Sequence, residues 1–390
     1  MKGGRSHPDL ECGDHMKVLG IILAGGRGEY LSSLTQVRTS AALPVFGKYR
    51  SIDFTLSNMI NAGVSKVGII TQYSPRSLMD HIGSGKEWDL DRKQGGLFIL
   101  QPYYSPYNPS MGYKGTADAL FQNIDILRRG NEDSVLIGSG DHIFKTDLTK
   151  IFRYHLDTAA DITVLTGNKN GECGMKGMDR VICKNGRVIK WIEKENASEN
   201  PDEGDCVALG VYFVNKFLLR ELLYSAVPNG YNELVKGIIS PNLSSLNVRE
   251  YRYNGYWRDI KQSKKCYFET NLDILDPQIR RELFYENGRV FTKLKDLPPP
   301  KITGTASMNN SVIADGCVIG GRIEDSVLFR DTRVMAGATV KNSVLLEGCL
   351  VEEGAYIENV IMDKYCTVRL GRSFVGESEE PTVIEKHGVI

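Results

Sequence analysis

The feature that most constrains the fold is a repeat in the last quarter of the chain. The segments SVIADGCVI, SVLFRDTRV, SVLLEGCLV and NVIMDKYCTV begin at Ser311, Ser326, Ser343 and Asn359. Val334, Val351 and Val368 stand 17 residues apart, as do Leu328, Leu345 and Met362. Within a coil, apolar residues recur six apart, from Leu328 to Val334 to Val340 and from Leu345 to Val351 to Ile357. An α-helix has no such register. A left-handed parallel β-helix of hexapeptide repeats does, with one apolar side chain turned inward on each of three short faces. A coil of this kind cannot bury its apolar face alone, so the coils must stack. The competing arrangement is an antiparallel meander with a chance period.

Upstream of the repeat the periodicity is different. KVLGIILAGG reads as a buried strand running into a glycine loop, and VSKVGIITQY and DSVLIGSGDH are two more strands with polar ends. DITVLTG, RVIKWIEK and ALGVYFV continue the series. Between them Ala117, Leu120, Phe121, Ile124 and Leu127 fall at helical spacing behind Thr116, a candidate N-cap. Strands alternating with helices predict an α/β domain with a mainly parallel sheet covered on both faces. Such sheets bind ligands at the carboxyl ends of their strands. The LPPP run before Ile302 is a stiff hinge. The expected organisation is a leader or extension over 1–15, an α/β domain over 16–285, a linker over 286–302 and the β-helix over 303–390.

Charge and cysteine usage narrow the function classes. Lys+Arg and Asp+Glu both number 48, which argues against a basic, nucleic-acid-coating protein and against a polyanionic tail. No run of 18 apolar residues suggests a membrane span, and MKGGRSHPDLECGDH has no apolar core of a secretory signal. The eight cysteines are scattered and never form Cys-x-x-Cys, so neither a zinc site nor a disulfide framework is expected. The expectation is a cytoplasmic protein that engages neither nucleic acid nor membrane.

The glycine loop carries the functional argument. Leu23-Ala24-Gly25-Gly26-Arg27-Gly28 follows a strand, where glycines let backbone N–H groups approach an anion. Leu31 stands where a dinucleotide fingerprint needs its third glycine, and no Gly-Lys-Ser/Thr follows for a Walker A loop. The order LAGGRG, LTQVRTSAALPVFGKYRSIDFTLSN, GYKGTADAL, GSGDHIFK, WIEK and YWRDI nonetheless resembles the sugar-nucleotide pyrophosphorylases. Within them the chain is similar to bacterial glucose-1-phosphate adenylyltransferases, in which a sugar phosphate attacks the α-phosphate of ATP and pyrophosphate leaves. The resemblance spans nearly everything from Met16, and it implies a Rossmann-like nucleotidyltransferase domain ahead of the β-helix.

The resemblance also assigns roles. It places Leu23, Ala24, Gly25 and Gly26 on the nucleotide, with Gln72, Gly115, Thr116 and Asp118 around the adenine. It makes Asp141 and Asp259 the carboxylates that clamp Mg²⁺ when nucleotide binds. Glu193, Lys194 and Gly210 match the sugar-phosphate contacts, and Lys48 and Arg50 match a segment linked with effectors.

Several positions depart from the catalytic pattern. Tyr30 stands for the arginine of the glycine loop, Ser40 for a lysine and Ala41 for a proline, while Glu29 adds an anion. Those two cations neutralise the departing pyrophosphate in catalytic members, and losing both costs powers of ten in rate. The family's Trp-Arg-Asp-Val-Gly-Thr reads Trp257-Arg258-Asp259-Ile260-Lys261-Gln262 here, Ser-Met-Gly reads Ala208-Leu209-Gly210, and Lys114 stands for an arginine. CGMKGMDR replaces the Phe-Gly-Val turn. This pattern resembles the non-catalytic regulatory subunit that some Gram-positive bacteria pair with a catalytic one in a hetero-oligomer, a heterotetramer, of glycogen synthesis. It implies a catalytic partner subunit and a sugar-phosphate or ATP effector. The alternative is an active adenylyltransferase with unusual phosphate contacts. A hexapeptide acyltransferase would need a histidine base beside the coils, and none is expected there.

Overall fold

The central strand of the first domain is a run of apolar residues without alternation, as a strand covered on both faces requires. The structure is a computed structural model that describes residues 17–103, 112–168, 177–194, 206–377 and 380–390. The 1–15 segment and the start of CGMKGMDR lie outside the described residues. In chain order the strands of the first domain are β1 (Val18–Leu23), β2 (Pro44–Val45), β3 (Tyr49–Arg50), β4 (Lys66–Ile70), β5 (Gly96–Leu100), β6 (Ser134–Ser139), β7 (His142–Phe144), β8 (Ile162–Gly167), β9 (Arg180–Lys184), β10 (Arg187–Ile192), β11 (Cys206–Asn215), β12 (Val248–Tyr253) and β13 (Trp257–Asp259).

Nine of these form one sheet in the order β5-β4-β1-β6-β11-β8-β12-β10-β9. Only β10 and β11 run against the others, so the sheet is mainly parallel. Side chains alternate across the central strand: Val18 and Ile22 enter one core cluster, Leu19 and Ile21 the other. The carboxyl ends of β1, β4 and β6 lie side by side, which gathers the glycine loop, Gln72 and Asp141 on one edge.

The helix expected over Ala117 to Leu127 is two short helices, Thr116–Gln122 and Ile124–Arg128, broken at Asn123. The Asn123 amide reaches back to the Ala119 carbonyl and across to the Tyr113 hydroxyl, both at 2.9 Å. Thr116 is not the N-cap, which falls on Gly115 with no side-chain cap. The carbonyl of Asn232 accepts from the Ala117 and Asp118 amides instead, at 2.8 and 3.1 Å. Among the described cysteines, Cys183, Cys317, Cys349 and Cys366 are thiols, whereas Cys266 is disulfide-bonded where no bridge was expected.

From Lys301 the chain winds into three five-stranded parallel sheets, one for each face of a β-helix. The 17-residue spacing is its register: Val334 pairs with Val351 and Val351 with Val368, and Leu328, Leu345 and Met362 align likewise. All six are fully buried. Each coil turns its corners through left-handed backbone, which Gly, Asn and Asp adopt at least cost. One corner uses Gly337, Gly354 and Gly371, and another uses Asp325, Asn342 and Asn359. At a third, Gly348 has no room for a Cβ, which would stand 2.4 Å from the Tyr365 ring. The serines that open the repeats form a ladder, in which the Ser311 hydroxyl accepts from the Ser326 amide (3.2 Å) and the Ser326 hydroxyl from the Ser343 amide (3.1 Å). One expectation fails here. His387 does belong to the last coil, where its ring stacks on Tyr365 with centroids 5.4 Å apart.

The two domains share a core. Leu328, Leu345 and Met362 point into the β-helix, while their neighbours Val327, Val344 and Ile361 point outward. The outward set packs with Leu31, Leu34, Leu43, Phe46, Tyr267 and Phe268 of the first domain. Within this apolar seam Arg38 makes a bidentate pair with Asp363, both contacts at 2.9 Å and both side chains buried. Breaking a buried pair leaves an uncompensated charge, so Asp363→Ala should destabilise the fold by about 3–5 kcal/mol. Chemical denaturation of that variant against Arg38→Met/Asp363→Leu, which removes both charges, is the measurement, and the double variant should be the more stable.

Acid sensitivity is also built into the core. Burial pushes the His155 pKa down to about 4, where the ring hydrogen-bonds the Thr163 hydroxyl at 2.8 Å and meets Phe213 edge-on. Between that value and the ordinary ~6.5 the unfolded chain binds the extra proton, so stability rises with pH across this window and is lost on acidification. Melting curves recorded from pH 4 to 7 should show that slope, and His155→Phe should flatten it.

Candidate functional site

The glycine loop is shaped by what it must bury. Gly28 has left-handed backbone (φ 64°) and a Cβ there would stand 3.0 Å from the Thr35 methyl. The Gly28 carbonyl accepts from the Thr35 hydroxyl at 2.9 Å and from the Leu31 amide at 3.0 Å. Leu31 and Leu34 are thereby drawn into the seam under the β-helix, and Glu29 and Tyr30 are left facing solvent. Tyr30 is 76 % exposed. The one cation of this loop, Arg27, lies over the Tyr73 ring at 4.3 Å and 3.9 Å from Glu29.

Beside the loop is a cavity of about 410 Å³ lined by Leu23, Gly25, Gly26, Gln72, Tyr113, Gly115, Thr116 and Asp141. Ala24 is buried behind it, its carbonyl accepting from the Thr39 hydroxyl at 2.8 Å. The Gln72 side-chain carbonyl accepts from the Tyr113 amide at 3.2 Å. A Cβ on Gly115 would stand 2.4 Å from the Asn232 carbonyl, so only glycine lets helix Thr116–Gln122 approach that segment. The Thr116 hydroxyl donates to Glu233 at 2.8 Å. Asp118 is buried and accepts from the Lys114 amide (2.7 Å) and the Gln122 amide group (2.8 Å). Its place is to hold the GYKG turn.

The two aspartates meet because β13 pairs antiparallel with β7, setting Asp259 opposite His142 and hence beside Asp141. Asp141, His142 and Asp259 are all buried, with one potential ligand atom each inside a 4.8 Å group. Both oxygens of Asp141 accept hydrogen bonds. Oδ2 accepts from the Ser40 hydroxyl at 3.0 Å, and Oδ1 accepts from Ser139 at 2.5 Å and from the Lys261 ammonium at 2.9 Å. The same ammonium lies 3.7 Å from Asp259 Oδ2. Burial works against the Lys261 charge, but Asp141 and Asp259 outweigh it and hold its pKa above the ordinary lysine value. Burial likewise opposes the Asp141 charge, and Lys261 and His142 overcome it and pull its pKa well below the usual range. Lys261 reaches this place through the turn that follows β13, in which its amide donates to Asp259 Oδ1 at 3.2 Å while Ile260 is buried in the interdomain seam.

Glu193, Lys194 and Gly210 come together on an adjoining cleft of about 470 Å³, together with Ala208, Asp259 and Lys261. Glu193 pairs with Lys236 at 3.2 Å, and the Lys194 amide donates to Asp179 at 3.0 Å. Gly210 has left-handed backbone (φ 63°) beside the His142 ring. Glu233 and Lys261 line both clefts. Neither was singled out from sequence as a site residue. Lys261 was legible only as a missing glycine, and Glu233 carries no motif.

Lys48 and Arg50 lie elsewhere, between the domains. They line a cavity of about 250 Å³ with Lys293, Lys295, Arg330 and Lys364. Glu347 there bonds Lys364 at 2.8 Å and also Lys295. Burial raises the Glu347 pKa, but Lys364 and Lys295 pull it down to about 2. Burial and Arg50 push Lys364 down to about 8. The Arg330 Nε is buried without a hydrogen-bond partner. Four of these six cations come from beyond residue 290 and have no sequence link to GKYR.

The sequence resemblance implies Mg²⁺ here, and the Asp141–Asp259 pair has the right donors for it. The fit fails on Lys261, whose ammonium covers the two oxygens, Asp141 Oδ1 and Asp259 Oδ2, that a bridging ion would need.

Comparison with known proteins agrees with this architecture. Residues 19–276 match the nucleotidyl transferase family, and residues 298–382 match the GlmU-like C-terminal hexapeptide family. A glucose-1-phosphate adenylyltransferase of Geobacillus stearothermophilus is 37% identical over 330 residues, 83% of this chain and 82% of that protein. That of Thermosipho africanus is 37% identical over 324 residues, 82% and 77% of the two chains. That of Clostridium novyi is 34% identical over 321 residues, 82% of each. With the repeat domain, the mainly parallel sheet and the clustered strand-end carboxylates, this likeness shows that the chain belongs to the glucose-1-phosphate adenylyltransferase family.

Proposed function

We propose that this chain is a regulatory, catalytically impaired subunit of a hetero-oligomeric ADP-glucose pyrophosphorylase, acting in the cytoplasm in glycogen synthesis. The observation that carries this reading is the placement of charge around the glycine loop. Position 30 is a solvent-facing tyrosine, and position 40 is a buried serine hydroxyl donating to Asp141. Arg27 is the loop's only cation, and it lies against Glu29 and Tyr73. Stabilising a departing pyrophosphate needs cations aimed where its charge develops. This loop has none so placed.

A chain of this kind acts through a catalytic partner subunit, expected in a heterotetramer, by contacting the partner differently in its two states. The coil edges support assembly there, since Leu370, Val375 and Val389 at the end of the β-helix are more than half exposed. ATP or a sugar phosphate is then an effector rather than a substrate. The second reading, an active enzyme making ADP-glucose from ATP and glucose 1-phosphate, draws on the retained nucleotide cavity around Gln72 and Thr116.

Two experiments decide. The purified chain with ATP, glucose 1-phosphate and Mg²⁺ should release pyrophosphate roughly 10³-fold or more below family rates. It should also co-purify with the catalytic pyrophosphorylase of the same cell. Family-level turnover by the chain alone would establish the second reading. The cation pocket gives the effector test. Isothermal titration with inorganic phosphate or a sugar bisphosphate should show binding that Lys48→Ala and Lys364→Ala each weaken about tenfold, the size expected for loss of one charge-assisted contact.

A further inference from the structure

We infer that Lys261 is a built-in cation that takes the place of the divalent ion at the Asp141–Asp259 pair, so that this chain holds its nucleotide-site carboxylates together without metal. The inference rests on the family reading of the two aspartates and not on the regulatory role.

Three observations converge. The ammonium stands 2.9 Å from Asp141 Oδ1 and 3.7 Å from Asp259 Oδ2, the facing oxygens of the pair. A bound Mg²⁺ sits about 2.0–2.1 Å from its oxygens and demands near-octahedral room, and that room is filled by a like charge. The placement is also enforced by the backbone. The Lys261 amide donates to Asp259 Oδ1 at 3.2 Å, and the Ile260 side chain between them is fully buried. The turn after β13 therefore brings Lys261 back beside Asp259. Finally, the other oxygen of Asp141 accepts from the Ser40 hydroxyl at 3.0 Å, so the two sides of this carboxylate are met by a neutral donor and by the Lys261 ammonium.

The exchange has a chemical consequence. An ammonium offsets only one of the two buried carboxylate charges, where a divalent ion would offset both, and it offers no open coordination positions to phosphate oxygens. Lys261 is 39 % exposed and lines both the nucleotide-side and sugar-side clefts, so it is available to a phosphate ester as a single hydrogen-bonding cation. In this chain the centre is fixed by a residue rather than set by the concentration of metal.

The test uses the full-length protein and reads metal binding rather than turnover. Mn²⁺ titration followed by electron paramagnetic resonance should show no tight site in the unaltered chain, whose melting temperature should not move with added Mg²⁺ or Mn²⁺. Lys261→Gly should melt lower, bind one Mn²⁺ at least about tenfold more tightly, and regain its melting temperature with either ion. Adding Asp259→Asn should abolish that response. If Lys261→Gly does not fold, Lys261→Met, which keeps the side-chain stem, takes its place. A tight Mn²⁺ site in the unaltered chain that Asp259→Asn removes would overturn the inference. So would a folded Lys261 variant whose stability and Mn²⁺ affinity are unchanged.

Discussion

Arg38 and Asp363 bind each other with two hydrogen bonds at 2.9 Å inside an apolar seam, and much else in the molecule follows from that contact. Val327, Val344 and Ile361 supply the burial that holds the domains together, but apolar contact tolerates sliding. A charge pair taken out of water tolerates one geometry, because any shift exposes each partner to the full cost of burial. Arg38 lies two residues before Ser40, so the segment that meets Asp141 is tied to the β-helix. The repeat domain is thereby part of the scaffold of the cleft around Asp141.

Inside the cleft the same physics has been redistributed. Sites that handle polyphosphate depend on cations where negative charge accumulates. Here the glycine loop carries a single cation, Arg27, and the other cationic side chains stand apart from it. One lies against the aspartate pair at Lys261, and a larger group lies between the domains around Glu347. The glycine loop and the cavity beside it owe their shape to backbone and to the buried Leu31 and Leu34. In this chain the shape of the cavity and its charge are carried by different residues.

Much of the fold was legible because its signals are periodic. The 17-residue valine and leucine spacing maps directly onto strand register in the β-helix, and the apolar runs became β1, β4, β6, β8, β10 and β11. Local signals failed where a distant group intervened. The helix after Gly115 breaks at Asn123, whose amide finds Tyr113 and Ala119. Its N-terminus is satisfied by Asn232 and Glu233 rather than by Thr116. Strands β5, β9 and β12 carry weaker patterns, and their assignment follows from the neighbours they pair with. Asp118, matched to the nucleotide by motif, serves the turn beside it.

By itself the sequence determined the two domain types and the absence of cationic side chains at positions 30 and 40, since each is a matter of periodicity or residue identity along the chain. Only the tertiary structure decided where the remaining charges act. The meeting of Lys261 with Asp141 depends on β13 lying against β7, and the six-cation pocket depends on the β-helix packing against the first domain. Electrostatic energy depends on distance in space and on the dielectric around each charge. Neither is written in sequence separation.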